Sequence, residues 1–127
     1  MRRGAGSVAT DIFDGLTIVE EAADAAGWRA RLRLETSSRA FAGHFEGQPI
    51  LPGVAILVIV RHALRAMGGT ATTLQALPSV RFRHAVRPGD LLEVSAARPD
   101  AEGRSRFEVK VGGALAVTGV ALASRDA

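Results

Sequence analysis

The sequence predicts an α+β protein, a six-stranded antiparallel sheet wrapped around one long central helix. Three observations predict it. Residues 28–35 alternate apolar and charged at every step, while residues 54–60 form an unbroken apolar run opened by Pro52-Gly53 and followed by Gly68-Gly69. Residues 79–124 then divide into four short strand-like segments separated by turn signals. Two strands, one buried helix and an antiparallel meander make an α+β arrangement. One helix cannot cover both faces of such a sheet or protect its edges, so a second copy is expected.

The elements follow in order. Residues 1–12 contain Gly and Ser and are expected to be a partly disordered lead-in to a single domain spanning 1–127. Residues 15–22 (Gly-Leu-Thr-Ile-Val-Glu-Glu-Ala) predict a first strand, although strict alternation is missing. A turn at 24–27 leads to the second strand, with Trp28, Ala30, Leu32 and Leu34 on one face and Arg29, Arg31 and Arg33 on the other. A polar connection over 36–42 runs into a Gly- and Pro-punctuated loop, and the helix is predicted from about Gly53 to Met67. At about 100° per residue, Val54, Val58, Arg61, His62 and Arg65 share one stripe, and the apolar remainder must be wrapped by sheet.

Beyond the helix, residues 79–86 set Val80, Phe82, His84 and Val86 against Arg81 and Arg83. Arg87-Pro88-Gly89-Asp90 has the residues that a type II turn prefers. Strands at 91–97, 105–111 and 114–124 complete the sheet, the last two joined by a Gly112-Gly113 hairpin. In the middle one, Phe107, Val109 and Val111 are expected inward and Arg106, Glu108 and Lys110 outward.

Composition narrows the function. There are no cysteines, which excludes disulfides, thiolate metal sites and cysteine nucleophiles. His44, His62 and His84 form no HxxxH pair beside an acidic cluster, so no metal site is predicted. The net charge is +3 and Lys110 is the only lysine; no basic run with interleaved aromatics points to nucleic acid. Residues 1–10 are basic without an apolar segment, and 54–60 is far short of a membrane span, so a cytoplasmic chain is expected.

The chemistry is concentrated at residues 40–54. One ionisable imidazole, His44, lies in a tight loop that feeds a helix opening at Pro52-Gly53. A helix start offers unpaired backbone N–H groups and a positive dipole end. That pairing suits proton transfer beside a polarised carbonyl.

The segment Gly43-His44-Phe45-x-Gly47-x-Pro49-Ile50-Leu51-Pro52-Gly53-Val54 resembles the signature of the β-hydroxyacyl-ACP dehydratases of FabA/FabZ type. Phe82-Arg83 followed by Val86-Arg87-Pro88-Gly89-Asp90-x-Leu92 resembles their second motif, so the resemblance spans roughly residues 13–124. It implies a hot-dog fold dimerising through the sheet, with an acyl tunnel at the interface involving Phe45, Pro52, Val54 and Val58. It further implies dehydration of a (3R)-hydroxyacyl thioester, carried on acyl carrier protein or coenzyme A, to the trans-2-enoyl form. No cofactor is implied. His44 would remove the α-proton and the Gly53 N–H would hold the thioester oxygen.

One departure bears on that mechanism. The family's helix carboxylate falls fourteen residues after the histidine, and Val58 stands there. His62 lies one turn later, and Glu46 stands two residues from His44 where the family usually has proline. Three readings follow: His62, with or without Glu46, replaces the acid; the fold keeps an acyl site as a binding or partner subunit; or the site hydrolyses thioesters. Arg61 and Arg65 are placed to meet an acidic carrier protein, or carboxylates at an interface with a second copy or a related hot-dog subunit.

Overall fold

The arginine-alternating segment sits at the heart of the sheet. In the computed structural model, which describes residues 10–13, 16–35, 53–69, 72–84, 86–87 and 89–125, it forms β3 (Gly27–Leu34). Trp28, Ala30, Leu32 and Leu34 are buried and Arg29, Arg31 and Arg33 exposed, as a period of two demands. The other strands are β1 (Thr10–Phe13), β2 (Leu16–Ala23), β4 (Thr72–Phe82), β5 (Leu91–Ala97), β6 (Arg104–Val111) and β7 (Ala114–Arg125). All pairings are antiparallel, in the order β1-β2-β3-β5-β6-β7-β4.

Helix α1 (Gly53–Gly68) lies in the sheet's concavity, packed against β1, β2, β3, β4 and β7. Its Ala55, Ile56, Ile59, Val60, Ala63 and Leu64 enter one core with Leu32, Leu92, Phe107, Val109 and Val117. Gly69, at φ +89°, ends the helix with its N–H donating to the Arg65 carbonyl at 2.8 Å. Burying these side chains drives the wrapping, since each fully covered Leu, Ile or Val contributes about 1.5–3 kcal/mol.

Three features differ from the sequence reading. The sheet gains a short seventh strand, β1, within the expected lead-in; Ile12 packs on the core there. The strand expected at 79–86 instead runs from Thr72 to Phe82. Pro78 is tolerated because β4 is an edge strand, where a missing N–H costs no ladder bond, and the register slips between Ala76 and Ser79. Past Phe82 the ladder closes, as the Arg83 and His84 amides both donate to the Ala116 carbonyl. His84 and Phe82 are therefore exposed, and of the alternating set Val80, Phe82, His84 and Val86 only Val86 is fully buried. Leu57 also departs from the wrapped apolar face, being 44% exposed.

The turns hold the frame. Asp90 N–H donates to the Arg87 carbonyl across Gly89, at φ +93°, and the Gly89 amide donates to Leu34, docking this turn on the end of β3. At the β2–β3 turn, the Asp24 carboxylate accepts the Ala26 and Gly27 amides. These bonds, with the Arg29 guanidinium, hold its carboxyl below the usual carboxylate range. Arg98 links this turn to the helix: Nε donates to the Asp24 carbonyl at 2.7 Å and Nη1 to the Met67 carbonyl at 3.0 Å. A cation at a helix C-terminus also complements its dipole. The outer sheet face carries a row of alternating charge, Glu20, Arg31, Glu93 and Lys110, on four neighbouring strands.

Candidate functional site

His44, Phe45, Glu46 and Pro52 lie outside the described residues, as does the side chain of Val54. Gly53 begins α1, so its amide is one of the four that a helix leaves without an intrahelical acceptor. The helix has no acidic residue in its first turn, leaving the positive dipole end uncompensated by its own side chains.

Along α1 the band that the sheet leaves uncovered holds Leu57, Val58, Arg61, His62, Arg65 and Ala66. Val58 is half-buried, and His62 follows one turn later on the same face. Arg61 and Arg65 are exposed and make no ion pair among the described residues.

His62 is the polar side chain of this band with a built environment. Its Nε2 lies 3.0 Å from Glu21 Oε1. The indole Nε1–H of Trp28 donates to the same Oε1 at 2.8 Å, and the Trp28 and His62 rings lie 5.7 Å apart, tilted by 58°. Trp28 is 1% exposed, whereas the His62 and Glu21 side chains are 30% and 32% exposed. A carboxylate thus spans a buried indole and a half-open imidazole. Nδ1 of His62 has no hydrogen-bond partner among the described residues.

A bulge in β2 places the carboxylate there. Ile18 pairs with Leu32 and Glu20 with Arg31, so β2 advances two residues while β3 advances one, and Val19 is the extra residue. Strict alternation from Ile18 would turn Glu20 inward and Glu21 outward. The bulge reverses this: Glu20 faces out beside Arg31, at 3.7 Å, and Glu21 pairs with Ala30 on the helix side. Sequence reasoning named His62 but missed Glu21 and Trp28. Their signals were the broken alternation in 15–22 and a tryptophan on an inward face, whose N–H needs an acceptor.

An antiparallel sheet curled over one helix defines a hot-dog protein. The family model described as "ApeI-like: ApeI dehydratase" matches residues 20–120, and the chain belongs to that family. Among solved structures, it is similar to the dehydratase heterocomplex ApeI:P from Xenorhabdus doucetiae. The TM-score is 0.74 at 22% identity, covering 85% of this chain and 96% of that one. A protein from Erwinia carotovora subsp. atroseptica superposes with a TM-score of 0.73 at 20% identity, covering 94% and 98%. These likenesses show the fold.

In sequence, the chain is 36% identical over 72 residues to the 3-hydroxyacyl-(acyl-carrier-protein) dehydratase FabZ of Latilactobacillus sakei, covering 51% of each chain. It is 35% identical over 82 residues to that of Lactobacillus helveticus, covering 56% of this chain and 55% of the other. The chain thus matches about half the length of these curated relatives. Among the described residues, no helix is long and apolar enough to cross a membrane.

Proposed function

We propose that this chain is a cytoplasmic dehydratase converting a 3-hydroxyacyl thioester, carried on acyl carrier protein, to its trans-2-enoyl form. The pathway class is fatty acid, polyketide or aryl-polyene-type biosynthesis. The observation that carries this reading is the Glu21–His62 pair at 3.0 Å, one helical turn beyond Val58. It offers a proton donor where the helix has no carboxylate, and the family membership supplies the reaction class.

His44 takes the α-proton, and the breaking C–H bond's electron pair moves toward the thioester carbonyl. The Gly53 N–H, at the start of α1, stabilises the enolate oxygen. As the pair returns to form the C=C bond, the β-C–O bond breaks and the leaving oxygen takes a proton from His62. Water departs, His44 is left protonated and His62 neutral, and proton exchange with solvent resets both. Arg61 and Arg65, exposed on the same band, suit the acidic surface of a carrier protein. Leu57 and Phe82, 44% and 46% exposed, are apolar surface suited to a second copy or a related hot-dog subunit.

A specific observation favours a second reading. Valine at position 58 cannot donate a proton, and the ApeI:P structure is itself a heterocomplex. On this reading the chain binds acyl thioester or a partner subunit without turnover.

One assay separates these: purified protein is incubated with a 3-hydroxyacyl thioester and enoyl absorbance is followed, with His44→Ala alongside. Enoyl product that disappears in His44→Ala is expected. Tight acyl-carrier binding with no product would establish the binding subunit instead, and release of free thiol would establish a thioesterase.

A further inference from the structure

We infer that Glu21 is a positioning residue that fixes His62 as its Nε2–H tautomer, so that Nδ1 is the atom exchanging the proton with substrate. The inference rests on the dehydratase reading and assigns a role to a strand residue outside the loop and helix motifs. An ionised carboxylate only accepts hydrogen bonds, so the ring nitrogen 3.0 Å from Glu21 Oε1 must carry a hydrogen. Trp28 donates to that same oxygen at 2.8 Å, which fixes the oxygen's place from the buried side. The neutral ring then has its proton on Nε2, leaving Nδ1 to bind and release the second one. Nδ1 is also the nitrogen without a partner among the described residues.

The proton balance follows. Imidazolium Nδ1–H gives its proton to the departing β-oxygen, the C–O bond breaks with its electron pair on oxygen, and the ring remains neutral with Nε2–H still donating to Glu21. Glu21 keeps its charge throughout and takes no proton. Among the described residues, Arg61 and Arg65 share the ring's helix, and Arg29 and Arg31 of β3 are paired to Asp24 and Glu20. Glu21 is thus the acceptor that orients this imidazole, and the β2 bulge is the device that presents it.

The test combines spectroscopy and kinetics on the full chain. Nitrogen-15 NMR of the unmodified protein at alkaline pH is expected to show His62 protonated at Nε2 and bare at Nδ1. The reverse tautomer overturns the inference. Glu21→Gln keeps an oxygen for the Trp28 N–H, so the variant stays folded while the carboxylate is lost. It should lower kcat about tenfold to a hundredfold, less than the about 10²- to 10⁴-fold of losing acid–base help outright, with KM within about twofold.

In the double variant Glu21→Gln/His62→Ala, kcat should be no lower than in His62→Ala alone, because the two act as one unit. Unchanged kcat in Glu21→Gln, or losses that multiply in the double variant, overturn the assignment. A parent protein yielding no enoyl product sinks the dehydratase reading, and the tautomer spectrum then decides the role of Glu21 by itself.

Discussion

Replacing Trp28 by phenylalanine isolates what the indole N–H contributes. Trp28 is 1% exposed and gives its single polar hydrogen to Glu21 Oε1 at 2.8 Å. Phenylalanine keeps much of the apolar ring packed against the core but loses that bond, which to a charged acceptor is worth about 1.5–3 kcal/mol. The missing part of the ring leaves a small void, adding about 1 kcal/mol. Glu21 retains His62 as a donor and is one-third exposed, so it is not stranded without a partner. Trp28→Phe should therefore cost about 2.5 to 4 kcal/mol. Urea unfolding must be followed by far-UV circular dichroism, since Trp28 is the only tryptophan and the variant has no indole fluorescence. Parent and variant are compared at one protein concentration, because an assembly's stability depends on it. A loss below about 0.5 kcal/mol would refute the assignment of a structural hydrogen bond to this indole.

Three further outcomes are expected. Val58→Glu, on a half-buried helix position one turn from His62, should raise kcat by about tenfold at most under the proposed mechanism, which gives the acid's role to His62; activity seen only with glutamate at 58 would rule that out. Arg98→Met keeps the apolar stem but removes both bonds linking the β2–β3 turn to the end of α1. It should cost about 1–2 kcal/mol and speed amide exchange in the last helical turn, and unchanged exchange there would dismiss the link. Asp24 is held low chiefly by the Ala26 and Gly27 amides, and Asp100 chiefly by the Arg104 amide. A carboxyl lowered on folding contributes stability above its unfolded value and loses it as pH falls through the folded one. Asp24→Ala/Asp100→Ala should thus be less stable than the parent at neutral pH, the gap closing below about pH 4. A gap that stays constant from neutral pH into acid would contradict this.

What the sequence revealed, and what it hid, have physical causes. β3, β5, β6 and α1 were legible because each buries one face, and a one-residue slip would expose a whole row of apolar side chains. β1 and the first half of β4 were hidden because they are edge segments, held by backbone pairing more than by burial of a patterned face. Phe82 and His84 misled for the same reason: alternation continued in the letters after the ladder had ended at Phe82.

The candidate site was legible only in part. His62 could be placed from helical spacing alone, since α1 is regular and position 62 lies one turn after 58. Its partner could not, because Glu21 faces the helix only through a bulge at Val19, and a bulge shifts every following side chain without leaving a fixed motif. Broken alternation is the trace it leaves, and in residues 15–22 that trace coincided with two adjacent glutamates, one of which must face inward. An inward glutamate needs donors, and among the described residues the sheet supplies the Trp28 indole and the helix the His62 imidazole. The same bonds that make an inward carboxylate tolerable also hold the one helix imidazole, one turn beyond Val58.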